Sequence, residues 1–148
     1  MTRILPALAL LLCFITNLSL ADDLEYNLTD AINRGDLQRA EKLIKKGADV
    51  NKKVPPFKQA PIVMAPLQGL VFVKLLVKNN ADINSKDQDN TTALINACLY
   101  GKLDTVKFLI AEGADVHAIN NDDMSTLEAA KLSENKILIQ FIKSAGAQ

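Results

Sequence analysis

Few side chains in this sequence are equipped for chemistry. His117 is the one histidine, and Cys13 and Cys98 are the two cysteines. A His-rich or Cys-rich zinc site needs several such ligands on one ion, so that class is excluded. His117 closes the stretch Gly113-Ala114-Asp115-Val116-His117 and reads as a hydrogen-bonding loop residue at the start of a hairpin. Cys98 follows Ala97 among small and apolar residues and reads as core; no adjacent cation is evident that would lower its pKa and activate it. The acidic stretch Asn120-Asn121-Asp122-Asp123-Met124 lacks the Gly and the distant bidentate Glu of a calcium loop. Neither a phosphate-binding Gly loop nor a Gly-x-Ser-x-Gly sequence is present. The expectation is a protein without catalytic residues, cofactor or metal, an enzyme or redox protein using Cys98 or His117 being the catalytic alternative.

Charge narrows the partners. Seventeen basic residues balance seventeen acidic ones. No basic excess points to nucleic acid or to an anionic membrane surface. Aromatic residues make up 5% of the chain, too few for a base-stacking platform.

The first 21 residues read as an address. Arg3 supplies a positive charge, an apolar run extends from Ile4 to Ile15, and Ser19 and Ala21 are small residues ahead of Asp22-Asp23. That order is the order of a secretory signal peptide. The run is well short of the roughly 20 residues that span a bilayer, so cleavage after Ala21 is expected, not a membrane anchor. Cleavage takes 21 of the 148 residues and leaves 127; it removes Arg3 but no acid, leaving 16 basic against 17 acidic groups. Cys13 leaves with the peptide, and Cys98 alone cannot form an internal disulfide. The fold must then be held by its apolar core.

A 33-residue period organises the remainder. Gly47-Ala48-Asp49-Val50-Asn51, Asn80-Ala81-Asp82-Ile83-Asn84 and Gly113-Ala114-Asp115-Val116-His117 start 33 residues apart, and Gly146-Ala147 falls on the next register. An apolar helical stripe precedes each one: Ala40 to Ile44, Val73 to Val77, Val106 to Ile110 and Ile139 to Lys143. Such an internal repeat implies short supersecondary units that bury their apolar faces by stacking. In the third unit Thr92 can cap a first helix, Leu94 and Ala97 point inward, and Gly101 ends that helix in the left-handed region. Val106, Leu109 and Ile110 form the stripe of a second helix that ends at Gly113. Asn80 and Asn90 stand where glycines would serve, because Asn tolerates positive φ next best. Ser125 to Glu128 can form a capping box in the fourth unit.

The third unit, from Asn90-Thr91-Thr92-Ala93-Leu94-Ile95-Asn96-Ala97 through Gly101 and Val106-Lys107-Phe108-Leu109-Ile110 to Gly113-Ala114-Asp115-Val116, resembles the ankyrin repeat. That repeat reads Gly-x-Thr-Pro-Leu-His-x-Ala, then Gly, Val-x-x-Leu-Leu and Gly-Ala-Asp-Val-Asn. The resemblance covers nearly all of residues 22–148. It implies an all-α solenoid of about four helix-turn-helix units joined by short hairpin loops, with bounds near 23–51, 52–84, 85–117 and 118–148. The outer units carry polar residues suited to terminal caps, such as Asp30, Arg34 and Arg39 in the first and Lys131, Glu134 and Asn135 in the fourth. The fourth unit stops at its second-helix cap.

The second unit departs from the pattern. Lys52 to Pro61 replaces the short hairpin, and Ala60-Pro61-Ile62 stands for Thr-Pro-Leu. Pro55 and Pro56 predict an extended segment outside any sheet. Pro66 falls inside the first helix, which is expected to be short, kinked or partly unwound. This irregular stretch, about Lys52 to Gly69, reads as degeneration or as a special surface.

With no catalytic set, function must lie on the surface. A solenoid of this kind presents a concave face built from hairpin tips and first helices. By register the positions free of core duty are Gln88, Asp89, Thr91, Leu99 and Tyr100, then Asn121, Asp122 and Met124, with Leu132 on the following helix and Phe57 beside the proline pair. Leu99, Tyr100, Met124 and Leu132 are apolar or amphipathic there without architectural need, and Tyr is a good anchor type. The expected function is non-catalytic binding of a protein partner. The leader and the bare array look like the small ankyrin proteins exported to the periplasm of Gram-negative bacteria; a secreted effector that binds a host protein is the alternative. No nucleic acid is expected as partner, and no membrane after cleavage.

Overall fold

The computed structural model describes residues 24–56 and 58–147. The expected signal peptide and its cleavage site lie outside the described residues, as does Phe57. Among the described residues there are eight helices and no strands, which bears out the all-α repeat solenoid. The described part of α1 covers 24–33. It is followed by α2 (Leu37–Lys45), α3 (Pro61–Gln68), α4 (Leu70–Lys78), α5 (Ala93–Leu99), α6 (Leu103–Ala111), α7 (Thr126–Leu132) and α8 (Lys136–Ser144). The odd-numbered helices are the first, inner helices of their units and the even-numbered ones the second, outer helices.

Helices of seven to nine residues are marginal alone, and their burial here comes from stacking. Each outer helix contributes one layer of a buried ladder at 33-residue steps, through Leu43, Leu76, Leu109 and Ile142. Inner helices pack through Ala65, Ala97, Ala129 and Ala130, all fully buried. Alanine at these contacts leaves neighbouring helix axes room to approach, and α5 packs on both α3 and α7. The result is one continuous apolar core running through the units.

The helix ends follow the capping logic. Thr92 Oγ1 accepts from the Ile95 N–H at 3.3 Å, and Ser125 Oγ accepts from the Glu128 N–H at 3.2 Å. Asn135 Oδ1 does the same for the Leu138 N–H at 3.1 Å. At the other ends, left-handed residues recur on a 33-residue step at Gly47, Asn80, Gly113 and Gly146. Asn90 also has positive φ, as its sequence role requires.

The hairpin loops are joined by a repeated side-chain clamp. Asn51 Oδ1 accepts from the Asp82 N–H at 2.7 Å while its Nδ2 donates to the Asn80 carbonyl at 2.9 Å. Asn84 repeats this one unit on, accepting from the Asp115 N–H at 2.8 Å and donating to the Gly113 carbonyl at 3.2 Å. At the first unit Glu25, buried in α1, supplies the acceptor in place of an asparagine: its Oε1 takes the Asp49 N–H at 3.0 Å. The hairpin tips are tied as well. The Asn121 N–H donates to the Asp89 carbonyl at 2.9 Å, and Asn90 Nδ2 donates to Asn121 Oδ1 at 2.6 Å.

The second unit corrects two expectations. Its inner helix α3 is neither shortened nor unwound: it runs eight residues with Pro66 inside, against seven for α5 and α7. Pro61 sits at the helix start, where its missing N–H would go unused. Pro66 is the sixth of eight residues, so it removes only a single late hydrogen bond. The connection is shortened instead: Gly69 alone (φ 121°) separates α3 from α4, where three residues separate α5 from α6. Nor is the Pro55-Pro56 segment a plain extended strip. The Val54 N–H donates to the Gln59 carbonyl at 3.3 Å, closing a small finger whose Pro55–Pro56 bond is cis. Equivalent pairings close the other fingers, Lys86 with Thr92 and Ile119 with Ser125.

Two substitutions test these devices. Asn84→Ala removes both arms of an exposed clamp and should lower unfolding free energy by about 1 kcal/mol, read by urea titration. Asn84→Asp keeps the acceptor arm and should fall between wild type and alanine. Glu134 occupies the left-handed position (φ 57°) that Gly101 (φ 65°) fills one unit earlier. Glu134→Gly should therefore raise stability by about 0.5–1 kcal/mol, whereas Gly101→Ala should lower it.

Candidate functional site

The predicted surface residues form two edges of one strip. Gln88 and Asp89 stand exposed on one hairpin tip, Asn121 and Asp122 on the next. They are brought together by the tip-to-tip bonds above, with Asn121 Nδ2 also reaching the Gln88 carbonyl at 3.3 Å. Each tip is shaped by an internal turn: Asp87 Oδ1 accepts from the Asp89 and Thr91 N–H groups, and Asn120 Oδ1 accepts from those of Asp122 and Met124. Tyr100 and Leu132 lie at the opposite, C-terminal ends of the inner helices α5 and α7, and are 53% and 62% exposed. A seven-residue helix separates the edges by about 10 Å.

Three of the expected residues are less free than their register implies. Leu99 and Met124 are half-buried and pack against the core, so both carry architectural duty. Thr91 is half-buried too, with its N–H held by Asp87.

Toward the first unit the same strip deepens into a cleft of about 490 Å³. Tyr26, Asp30 and Asn33 of α1 form one wall, with Thr29 beneath. Val54, Pro55, Pro56 and Gln59 of the second finger form another. Met64 and Gln68 of α3 line the floor, and Asp87 and Asp89 of the next finger close the far side. Sequence reasoning named Asp89 alone of these as a contact residue, but its alternative of a special surface at Lys52 to Gly69 takes in Val54, Pro55, Pro56, Gln59, Met64 and Gln68. Met64 stands 32 residues before Asn96, in the one-residue-offset register of α3, and that offset was the usable signal. Tyr26, 61% exposed, had the same standing as Tyr100 as an aromatic outside the core.

The cleft's charges are partly answered from within. Arg34 Nε donates to Asp30 Oδ1 at 2.7 Å, and Arg39 Nη1 to Asp30 Oδ2 at 2.9 Å. The Arg34 hydrogen bond holds the Asp30 carboxyl below its usual range against an opposing desolvation, with further help from the charges of Arg34 and Arg39. Arg39 Nη2 also donates to Asn27 Oδ1 at 2.6 Å. The four side chains make a polar brace on the first unit.

The chemically equipped side chains fall elsewhere. Cys98 is fully buried within α5, and that burial pushes its thiol up to about 12. His117 is exposed on the loop after α6, where its N–H donates to Asp115 Oδ1 at 2.9 Å, as Asn51 and Asn84 do to Asp49 and Asp82. Among the described residues, no three His, Cys, Asp or Glu side chains gather closely enough to hold a metal ion. No helix among them is long and apolar enough to cross a membrane.

A family model for ankyrin repeats in three copies matches residues 28–120. The chain belongs to the ankyrin-repeat family. No curated protein matches it. Ankyrin arrays are generally protein–protein interaction modules and generally non-catalytic. The paired helices, the left-handed residues at 33-residue steps and the fingers are thus the parts of ankyrin units, and the cleft lies on the inner-helix side of the first three.

The thiol supplies a prediction. In native protein at pH 7.5, Cys98 should resist alkylation by iodoacetamide, and labelling should follow the unfolding curve in urea. The unfolded thiol ionises near pH 8.5 and the folded one at about 12. Stability from this group is therefore complete below about pH 8.5 and falls as pH rises toward 12. The loss of stability between pH 7.5 and pH 10 should be smaller in Cys98→Ala than in wild type.

Proposed function

We propose that this ankyrin array is exported through its amino-terminal leader and acts outside the cytoplasm, binding a protein partner along its concave strip without catalysing a reaction. The observation that carries the binding reading is the exposure of Tyr26, Tyr100 and Leu132 on that strip, where the stacked core does not use them. Large exposed side chains of this type supply anchors at protein interfaces. The buried thiol supports the non-catalytic reading, since a neutral, enclosed Cys98 is a poor nucleophile. The charged, apolar and small-residue order of residues 1–21 supports export, and the resemblance to small exported ankyrin proteins of Gram-negative bacteria suggests the periplasm as the compartment.

Crosslinking in the native compartment, capture of the mature chain and mass spectrometry of bound proteins test this reading. Tyr100→Ala should reduce capture of the main partner at least tenfold and leave the melting temperature nearly unchanged, as for a surface substitution. Unchanged capture by both Tyr100→Ala and Tyr26→Ala would remove the concave strip as the binding face. Fractionation should place the mature chain, shortened at Ala21, in the periplasm. Finding it only in culture supernatant or in host cells would overturn the periplasmic assignment.

A further inference from the structure

We infer that the cleft at the first three units accepts a basic side chain, arginine above all, presented by an extended segment of the partner. This inference rests on the reading of the concave strip as the partner-binding surface and assigns chemistry to one end of it. The cleft combines two features that a guanidinium on an aliphatic stem satisfies together. Tyr26, Pro55, Pro56 and Met64 offer flat or flexible apolar surface for the stem. Asp87 and Asp89 offer carboxylates at the far side.

The charge balance favours a cation. The described residues that line the cleft include three aspartates and no lysine or arginine. Asp30 is already held by Arg34 and Arg39. Asp89 is exposed, and Asp87 uses Oδ1 to hold two N–H groups of its own turn. The neighbouring tip adds Asp122 and Asp123, both exposed, so the approach to the cleft from that side is acidic as well. The lysines of the second finger, Lys52, Lys53 and Lys58, are exposed outside the cleft lining. They would repel a run of continuous positive charge. A segment with a basic residue set between apolar ones therefore fits better than a polybasic tail.

The volume agrees. About 490 Å³ lies within the range of pockets that enclose small ligands, enough for one long side chain and part of a neighbour. An arginine can meet the two carboxylates with its forked donors, whereas a lysine offers a point charge.

Fluorescence polarisation with three labelled nonapeptides tests the inference on the mature chain. In all three, leucine alternates with one charged type, arginine, lysine or glutamate. The arginine peptide should bind, the lysine peptide more weakly, and the glutamate peptide not at all up to 1 mM. Asp87→Asn/Asp89→Asn retains the turn acceptor of Asp87 and should weaken arginine-peptide binding about tenfold, with circular dichroism unchanged. Met64→Glu and Tyr100→Ala separate the sites: the first should alter arginine-peptide binding, the second should not. No binding of the arginine peptide at 1 mM, equal binding of the glutamate peptide, or no effect of the double aspartate variant would overturn the inference. If the arginine peptide fails while Tyr100→Ala still reduces capture of the natural partner, the concave-strip reading stands and the cation site alone is lost.

Discussion

No unit of this protein can bury its own apolar face. Two helices of seven to ten residues enclose too little surface to offset the entropy of ordering them, so each unit depends on the ones stacked against it. That constraint explains the small residues on the inner helices, the ladder of leucine and isoleucine on the outer ones, and the regularity of the 33-residue step. It also explains the polar clamps. Apolar contacts alone would let units slide or twist, whereas Asn51 and Asn84 each fix a donor and an acceptor on the next loop. Glu25 performs the acceptor half of that task at the first unit, from a helix and not from a loop.

Most of the fold was legible because its determinants are local and repeated. The left-handed turns at Gly101, Asn80 and Asn90, the cap at Thr92 and the outer-helix stripe each depend on residues close in sequence. The family model's match to residues 28–120 agrees with that legibility. The second unit is less legible, because the effect of a proline depends on where in the helix it falls. Near the start, as Pro61, it takes nothing away; near the end, as Pro66, it takes one bond, and the tertiary burial of both rings compensates.

The interaction surface was only partly legible, for a different reason. Leu99 and Met124 occupy positions that register marks as free, yet both pack against the core. The cleft draws on residues 26–33, 54–56, 59, 64–68 and 87–89, which meet only after three units have stacked. No single repeat contains enough of it to announce a site. The chemically suggestive residues point the other way: Cys98 is consumed by the core, and the backbone of His117 follows the same loop pattern as its asparagine counterparts.

The offset in the second unit has a wider consequence. Outer helices begin at residues 37, 70, 103 and 136, in unbroken step, while the inner helix α3 begins one residue out of phase with α5. The late start of α3 is absorbed by the one-residue connection at Gly69, so it never propagates along the array. The outer layer thus keeps time for the whole molecule and the inner layer is free to improvise. Length changes on the recognition side can accumulate unit by unit, reshaping what the concave strip offers, while the scaffold behind it stays in step.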